Sequence, residues 1–256
     1  MQRPDRLEGR IEQAALRAFP ALEEADLNGW LLRSANGHSR RTNSVQPIVH
    51  SGDVASDIAT AEAWYDERGT SCTFRMTPFS VPESLDGTLE ALGYLRQDPT
   101  SVQTLDLESG RFAFDNRIDL AEHPTSVWFD AIMDSSRYMA GRRPTLEQTL
   151  QMIEPPAVFA VLRDGNEAIA TGLAVADGDL VGLYSISTRP EIRRSGIGWT
   201  MSESLLAWGA DRGASRAYLQ VMHINAAAME LYRRMGFKPL YDYWYRCPVD
   251  RPPMNG

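Results

Sequence analysis

The chemistry legible in this chain is concentrated in residues 181–200, Val-Gly-Leu-Tyr-Ser-Ile-Ser-Thr-Arg-Pro-Glu-Ile-Arg-Arg-Ser-Gly-Ile-Gly-Trp-Thr. The run from Leu183 to Thr188 reads as a strand, Arg189-Pro190 as a turn, and the stretch from Ile197 onward as a helix. Between strand and helix lie Arg193, Arg194, Gly196 and Gly198. The glycines let the backbone pass close to a ligand, and the guanidinium groups with the free N–H groups of a helix start make that ligand an anion. The loop is therefore a candidate pyrophosphate cradle. A dinucleotide-binding fingerprint does not fit it, because Met201 stands where the third glycine belongs. A P-loop does not fit either, because the loop has no lysine. The pattern that remains, Arg-x-x-Gly-x-Gly, is also met by ordinary glycine-rich strand-to-helix turns.

Composition bounds what such a loop can serve. The 256 residues suffice for one large or two small domains. A formal net charge of −8 argues against a nucleic-acid partner, which needs a basic face for phosphate contacts. No stretch approaches the roughly 18 apolar residues of a membrane span, and the first ten residues lack a signal-peptide core. The expectation is a cytoplasmic protein without a membrane partner. Cys72 and Cys247 have no partner at metal spacing, and His38, His50, His123 and His223 are scattered singly, so no metal site is expected.

The elements that must hold the loop can be read in order. Apolar spacing predicts helices over 6–19, 53–68, 83–92, 126–139, 145–153 and 197–212, with a further helix started by Asn225 and stopped by Gly236. An Asn-Gly step at 36–37 predicts a hairpin between strands 29–35 and 38–48. A strand is expected over 71–76 and a strand pair over 94–107. Asp-Gly turns at 164–165 and 177–178 predict an antiparallel meander of 158–163, 168–176 and 180–188. Strands 216–222 and 237–247 complete the series. The class is α+β, mixed in its strand directions.

From residue 126 onward this order, together with Arg193-x-x-Gly196-x-Gly198 and Asn225-x-x-Ala228-x-x-Leu231-Tyr232-x-x-x-Gly236-Phe237, resembles the GNAT superfamily of acyl-CoA-dependent N-acyltransferases. The resemblance implies a central, mostly antiparallel sheet flanked by helices, in which strands four and five (180–188 and 216–222 here) splay apart around acetyl-CoA. It implies that Ile186, Ser187 and Thr188 line the pantetheine arm and that Arg193, Arg194, Ser195, Gly196, Ile197, Gly198 and Trp199 hold the pyrophosphate. Tyr232 becomes the acid that protonates the departing thiolate, although its place in an apolar stripe also suits a plain core residue. Asn225 is a helix N-cap on its own chemistry and a pantetheine contact by resemblance. Tyr184, Tyr138, Arg142 and Arg143 fall where such proteins border the acceptor, an arginine there suiting a carboxylate. The implied activity is direct acetyl transfer to a primary amine of a small molecule or peptide, with no metal. A noncatalytic acyl-CoA-binding or interaction protein is the alternative.

Residues 29–107 repeat the later half of the same pattern without its chemistry. Leu89 falls opposite Tyr232, Pro82 opposite Asn225, and Val49-His50-Ser51-Gly52-Asp53 opposite the pyrophosphate loop. The expected organisation is a degenerate GNAT-like domain over 1–110, a linker over 111–125, the catalytic domain over 126–250 and a tail over 251–256. A monomer or a homodimer is expected. The motif Arg40-Arg41-Thr42-Asn43-Ser44 is left over, either as exposed strand charges or as a substrate contact.

Overall fold

The structure, a computed structural model, describes residues 6–108, 110–135 and 142–249. The first half of the chain supplies α1 (Leu7–Ala18), β1 (Glu23–Leu27), β2 (Trp30–Ser34), β3 (Val45–Pro47), α2 (Val54–Asp66), β4 (Phe74–Met76), α3 (Leu85–Ala91) and β5 (Leu95–Asp106). The second half supplies β6 (Ile118–Ala121), α4 (Ser126–Ser135), α5 (Arg143–Gln151), β7 (Ala157–Asp164), β8 (Glu167–Asp177) and β9 (Leu180–Thr188). It ends with α6 (Ile197–Asp211), β10 (Arg216–Met222), α7 (Ala226–Met235) and β11 (Lys238–Cys247). The strands join in one 11-stranded sheet of order β1-β2-β3-β4-β11-β5-β10-β9-β8-β7-β6. Neighbours are antiparallel except β3 with β4 and β9 with β10. This is the helix-flanked, mostly antiparallel sheet expected.

The order reveals an exchange. β11, the last strand of the second half, lies between β4 and β5, while β5, the last strand of the first half, lies between β11 and β10. Each half thus lends a strand to the interior of the other, and Val102 at the centre of β5 is fully buried. Alternation along the strands gives the sheet two apolar faces. On one, α6 and α7 pack against Val181, Leu183 and Leu219. On the other, α1, α4 and α5 pack against Leu173, Tyr184, Tyr218, Tyr243 and Tyr245.

Three expectations change. The Asn-Gly step that makes a two-residue hairpin is Asn28-Gly29, with both residues at positive φ and Leu27 opposite Trp30. The strands on either side of Asn36-Gly37, β2 and β3, do pair antiparallel, but the chain between them is a long, largely buried loop rather than a tight turn. The Asn43 amide oxygen there accepts the N–H groups of Ala35 and Gly37, both at 2.8 Å, and Arg40–Thr42 form a short 3-10 turn. The pair expected over 94–107 is one strand, β5, which runs through Pro99 with Asp98 at positive φ, where the β11 register shifts. The 111–125 stretch carries β6, paired with β7.

α6 is pressed unusually close to the sheet. A Cβ on Gly172 of β8 would lie 2.7 Å from Leu205, and one on Gly209 would lie 2.7 Å from Val181 of β9. These two glycines fix the height at which the first turn of α6 stands over the end of β9.

Candidate functional site

β9 and β10 pair in parallel only from Arg216↔Leu180 to Leu219↔Leu183. Beyond that point β10 continues against β5 through Met222, and β9 continues through Thr188 with no partner on its β10 side. The two strands therefore part at Tyr184. A bulge falls at the same place: Thr171 faces Ser187 and Leu173 faces Tyr184, so Ser185 and Ile186 stand opposite Gly172 alone, with Ser185 at φ 50°. The Gly172 carbonyl is taken by the Trp128 indole N–H at 3.0 Å, and the Ser185 carbonyl accepts from the Thr171 hydroxyl at 3.2 Å. Helix α4 and strand β8 thus hold the bulge open from behind.

Past Thr188 the chain makes a 3-10 turn, Pro190–Ile192, and enters α6 at Gly196, whose φ of 86° admits glycine and few other residues. Arg194 also has positive φ. Among the described residues, the amide N–H groups of Arg194, Ser195, Gly196, Ile197, Gly198 and Trp199 have no acceptor, and no side chain caps the helix. Six consecutive donors thus stand without an acceptor at the positive end of the helix dipole, on an exposed to half-buried stretch. Arg193 turns back to donate to the Thr188 carbonyl at 3.2 Å, which fastens the loop to the strand, while Ser195 donates to Ile192 at 2.6 Å.

Tyr232 on α7 is buried, its ring edge-on to Phe237 at 5.6 Å. Burial pushes its hydroxyl up to about 12, with the hydrogen-bonding Ser202 hydroxyl acting the other way. Ser202 in turn donates to the Gly198 carbonyl at 2.7 Å, which ties Tyr232 to the first turn of α6. Asn225 is the N-cap of α7, its side chain accepting the Ala228 N–H at 3.1 Å, and Gly236 closes the helix at φ 99°.

The opposite face of the gap is built from both halves. Tyr184 is buried, and its hydroxyl shares a 2.5 Å hydrogen bond with Tyr218; burial drives both hydroxyls above the ordinary phenol range. Tyr184 therefore offers a ring rather than a hydroxyl. The Arg41 guanidinium lies over that ring at 5.4 Å and over Phe19 at 5.0 Å. Arg142 donates to the His38 carbonyl at 2.6 Å, and Arg143 pairs with Asp130 at 2.5 Å and Glu147 at 2.8 Å. Both thus have partners within the chain, and Arg142 joins the 35–44 loop to α5. Tyr138 lies outside the described residues. Sequence reasoning missed the contact of Arg41 with Tyr184, which no local spacing announces. It also missed the pairing of His223 with Asp242 at 3.1 Å, just past the end of β10. Among the described residues no group of three His, Cys, Asp or Glu side chains is placed to hold a metal ion, and no helix is long and apolar enough to cross a membrane.

In the first half the corresponding positions are filled by the chain itself. Asp53 caps α2, its carboxylate accepting the Ser56 N–H at 2.9 Å, and Asp57 pairs with His50 at 2.8 Å. The Pro47 carbonyl at the end of β3 accepts the Val81 N–H at 2.9 Å. Leu89 is fully buried.

The family model that matches this chain, over residues 9–246, is described as "Probable histone acetyltransferase Rv0428c C-terminal". Among curated relatives, the uncharacterized N-acetyltransferase YobR of Bacillus subtilis is 29% identical over 248 residues, covering 93% of this chain and 97% of the relative. The probable histone acetyltransferase Rv0428c of Mycobacterium tuberculosis is 30% identical over 231 residues, covering 89% of this chain and 70% of the relative. Among solved structures, a GCN5-related N-acetyltransferase from Kribbella flavida superposes with a TM-score of 0.68 at 15% identity, covering 94% of this chain and 95% of that one. The last is a likeness of fold.

Proposed function

Because this chain belongs to the Rv0428c C-terminal family and is a GNAT-type N-acetyltransferase, we propose that it transfers the acetyl group of acetyl-CoA directly to a primary amine of a small molecule or peptide. The observation that carries this reading is the parting of β9 from β10 beside six amides without an acceptor. A diphosphate fits those amides, and an extended arm with amide groups of its own fits the unpaired side of β9.

Acetyl-CoA supplies the acetyl group activated as a thioester. The amides of Arg194 to Trp199 and the dipole of α6 would hold its diphosphate. Ile186, Ser187 and Thr188 would align the arm, and backbone N–H groups at the bulge would polarise the thioester carbonyl as fixed dipoles. Tyr232 holds its proton through the neutral pH range and would give it to the departing sulfur. Asn225 adds a polar group at the open end of β10. The net charge of −8 favours the approach of ammonium-bearing acceptors.

The first half takes a different part. With Asp53 filling the start of α2 and Val81 bonded to the end of β3, we read it as a degenerate second unit, bounded as 1–110, that walls the acceptor side without binding a cofactor. The buried position of Cys72, in no disulfide, suits a cytoplasmic setting. A protein lysine is the acceptor that the name of the mycobacterial relative points to, and a lysine-containing peptide therefore belongs in the assay.

The deciding experiment gives purified protein acetyl-CoA and a broad amine panel while free thiol is followed. Amine-dependent thiol release, abolished in Tyr232→Phe and in Gly196→Val, is expected. CoA binding without turnover on any amine favours a noncatalytic acyl-CoA-binding protein.

A further inference from the structure

The buried arginines Arg33, Arg40 and Arg75 on the acceptor side are matched to carboxylates; the half-buried Arg41 is not. Arg33 pairs with Glu24 at 2.8 Å, Arg40 with Asp98, and Arg75 with Glu12. Asp177, whose charge acts on the Tyr184 and Tyr218 hydroxyls, is held by Arg17 at 2.6 Å. Arg41 is half-buried, and its side chain makes no hydrogen bond or ion pair with any described residue. Its five N–H donors rest on the faces of Phe19 and Tyr184, which hold the guanidinium plane without satisfying its edge. That edge is not enclosed, and a guanidinium held flat on two rings beside the gap is placed to meet an anion there.

Its place says which anion. Tyr184 immediately precedes the bulge at Ser185, where β9 leaves β10. Tyr184 and Arg41 lie on the sheet face of α1 and α4, whereas α6 with its free amides and Tyr232 lie on the other face. An acyl group reaching through the gap from the α6 side therefore meets its acceptor on the Arg41 side. The loop bearing Arg41 is rigidly built: Asn43 bonds both Ala35 and Gly37, the Ser44 hydroxyl donates to the Arg40 carbonyl at 2.7 Å, and the Arg41 carbonyl accepts from Arg33 at 3.1 Å.

Building on the acetyltransferase reading, we infer that Arg41 binds an anionic group, a carboxylate or a phosphate, carried by the amine acceptor. The acceptor class is then a small amine bearing an acid, and the leftover Arg40-Arg41-Thr42-Asn43-Ser44 motif is its recognition loop.

Matched acceptors test this: β-alanine against β-alaninamide, 4-aminobutyrate against its amide, and phosphoethanolamine against ethanolamine. The expected result is a kcat/KM about 10- to 100-fold higher for an anionic member, the effect of one charge-assisted hydrogen-bonded pair. The preference should vanish in Arg41→Ala and Arg41→Met and return in part in Arg41→Lys. Affinity for CoA, measured by calorimetry, should be unchanged in all three, which shows that each is folded. The carboxylate and phosphate pairs tell the two anions apart. Equal rates within every pair, or a preference that survives Arg41→Ala, would overturn the inference. Should no amine be acetylated, the enzyme reading fails by itself. Calorimetry of N-acetyl-β-alanine and its amide against the CoA-loaded protein then decides the anion site: binding of the acid alone, lost in Arg41→Ala, upholds it, and no binding overturns it.

Discussion

Changing Tyr232 to phenylalanine removes one hydroxyl from a buried ring and little else. The ring keeps its packing on Phe237, and Ser202 keeps its bond to the Gly198 carbonyl, so the fold should lose no more than about 1 kcal/mol. The catalytic loss should be far larger. Removing a positioned proton donor costs about 10²–10⁴-fold, here in kcat, with CoA affinity unchanged. Burial also fixes the pH dependence. With the hydroxyl pushed up to about 12, about one molecule in 10⁴ is ionised at pH 8, and the acid form persists past pH 10. An ordinary phenol would be half ionised near pH 10 and would halve the rate there. The assay is kcat for wild type and Tyr232→Phe from pH 6 to 10.5, with CoA binding by calorimetry. The variant should be slower by at least about 100-fold throughout, and the wild type should show no alkaline loss that the variant lacks. A variant within threefold of wild type would refute the assignment of Tyr232 as the acid. A wild-type alkaline limb near pH 10 that disappears in the variant would refute the argument from burial.

Asn225→Ala deletes the cap of α7 and should cost about 1 kcal/mol, lowering Tm by roughly 2–4 °C; a raised KM for acetyl-CoA as well would give Asn225 its second role. His38 is buried, with Arg142 nearby, and both effects, burial the larger, lower its pKa to about 4. Below about pH 6.5 the unfolded chain takes up a proton there that the folded one refuses. Stability is therefore intact above that pH and falls by up to about 1.4 kcal/mol per unit between pH 6.5 and 4. Thermal melts at pH 7.5 and 5 should show a smaller acid loss for His38→Gln than for wild type.

What the sequence discloses is what short-range chemistry decides. The Gly196 and Gly236 positions, the Asn225 cap and the meander turns depend on a few adjacent residues, and the structure has them where spacing puts them. Asn28-Gly29 and Asn36-Gly37 are the same dipeptide, and only their surroundings separate them. Leu27 and Trp30 pair across the first, while Asn43 captures the backbone at the second. β1 escapes notice because Glu23–Leu27 is largely exposed and has no apolar face; pairing with β2 makes it a strand. The exchange of β5 and β11 is equally silent, since each begins exposed and becomes mostly buried along its length, and nothing local names its neighbour. Arg41 and Tyr184 meet for the same reason, as two ordinary residues brought together by the sheet order.

Backbone amide resonances followed during a CoA titration would show whether the start of α6 and the free side of β9 hold the cofactor. The largest shifts should fall on Arg194 to Trp199 and on Ile186 to Thr188, while Ser51 to Ser56, at the start of α2, stay unmoved. Shifts centred on α2, or none between Arg194 and Trp199, would contradict cofactor binding at α6 and β9.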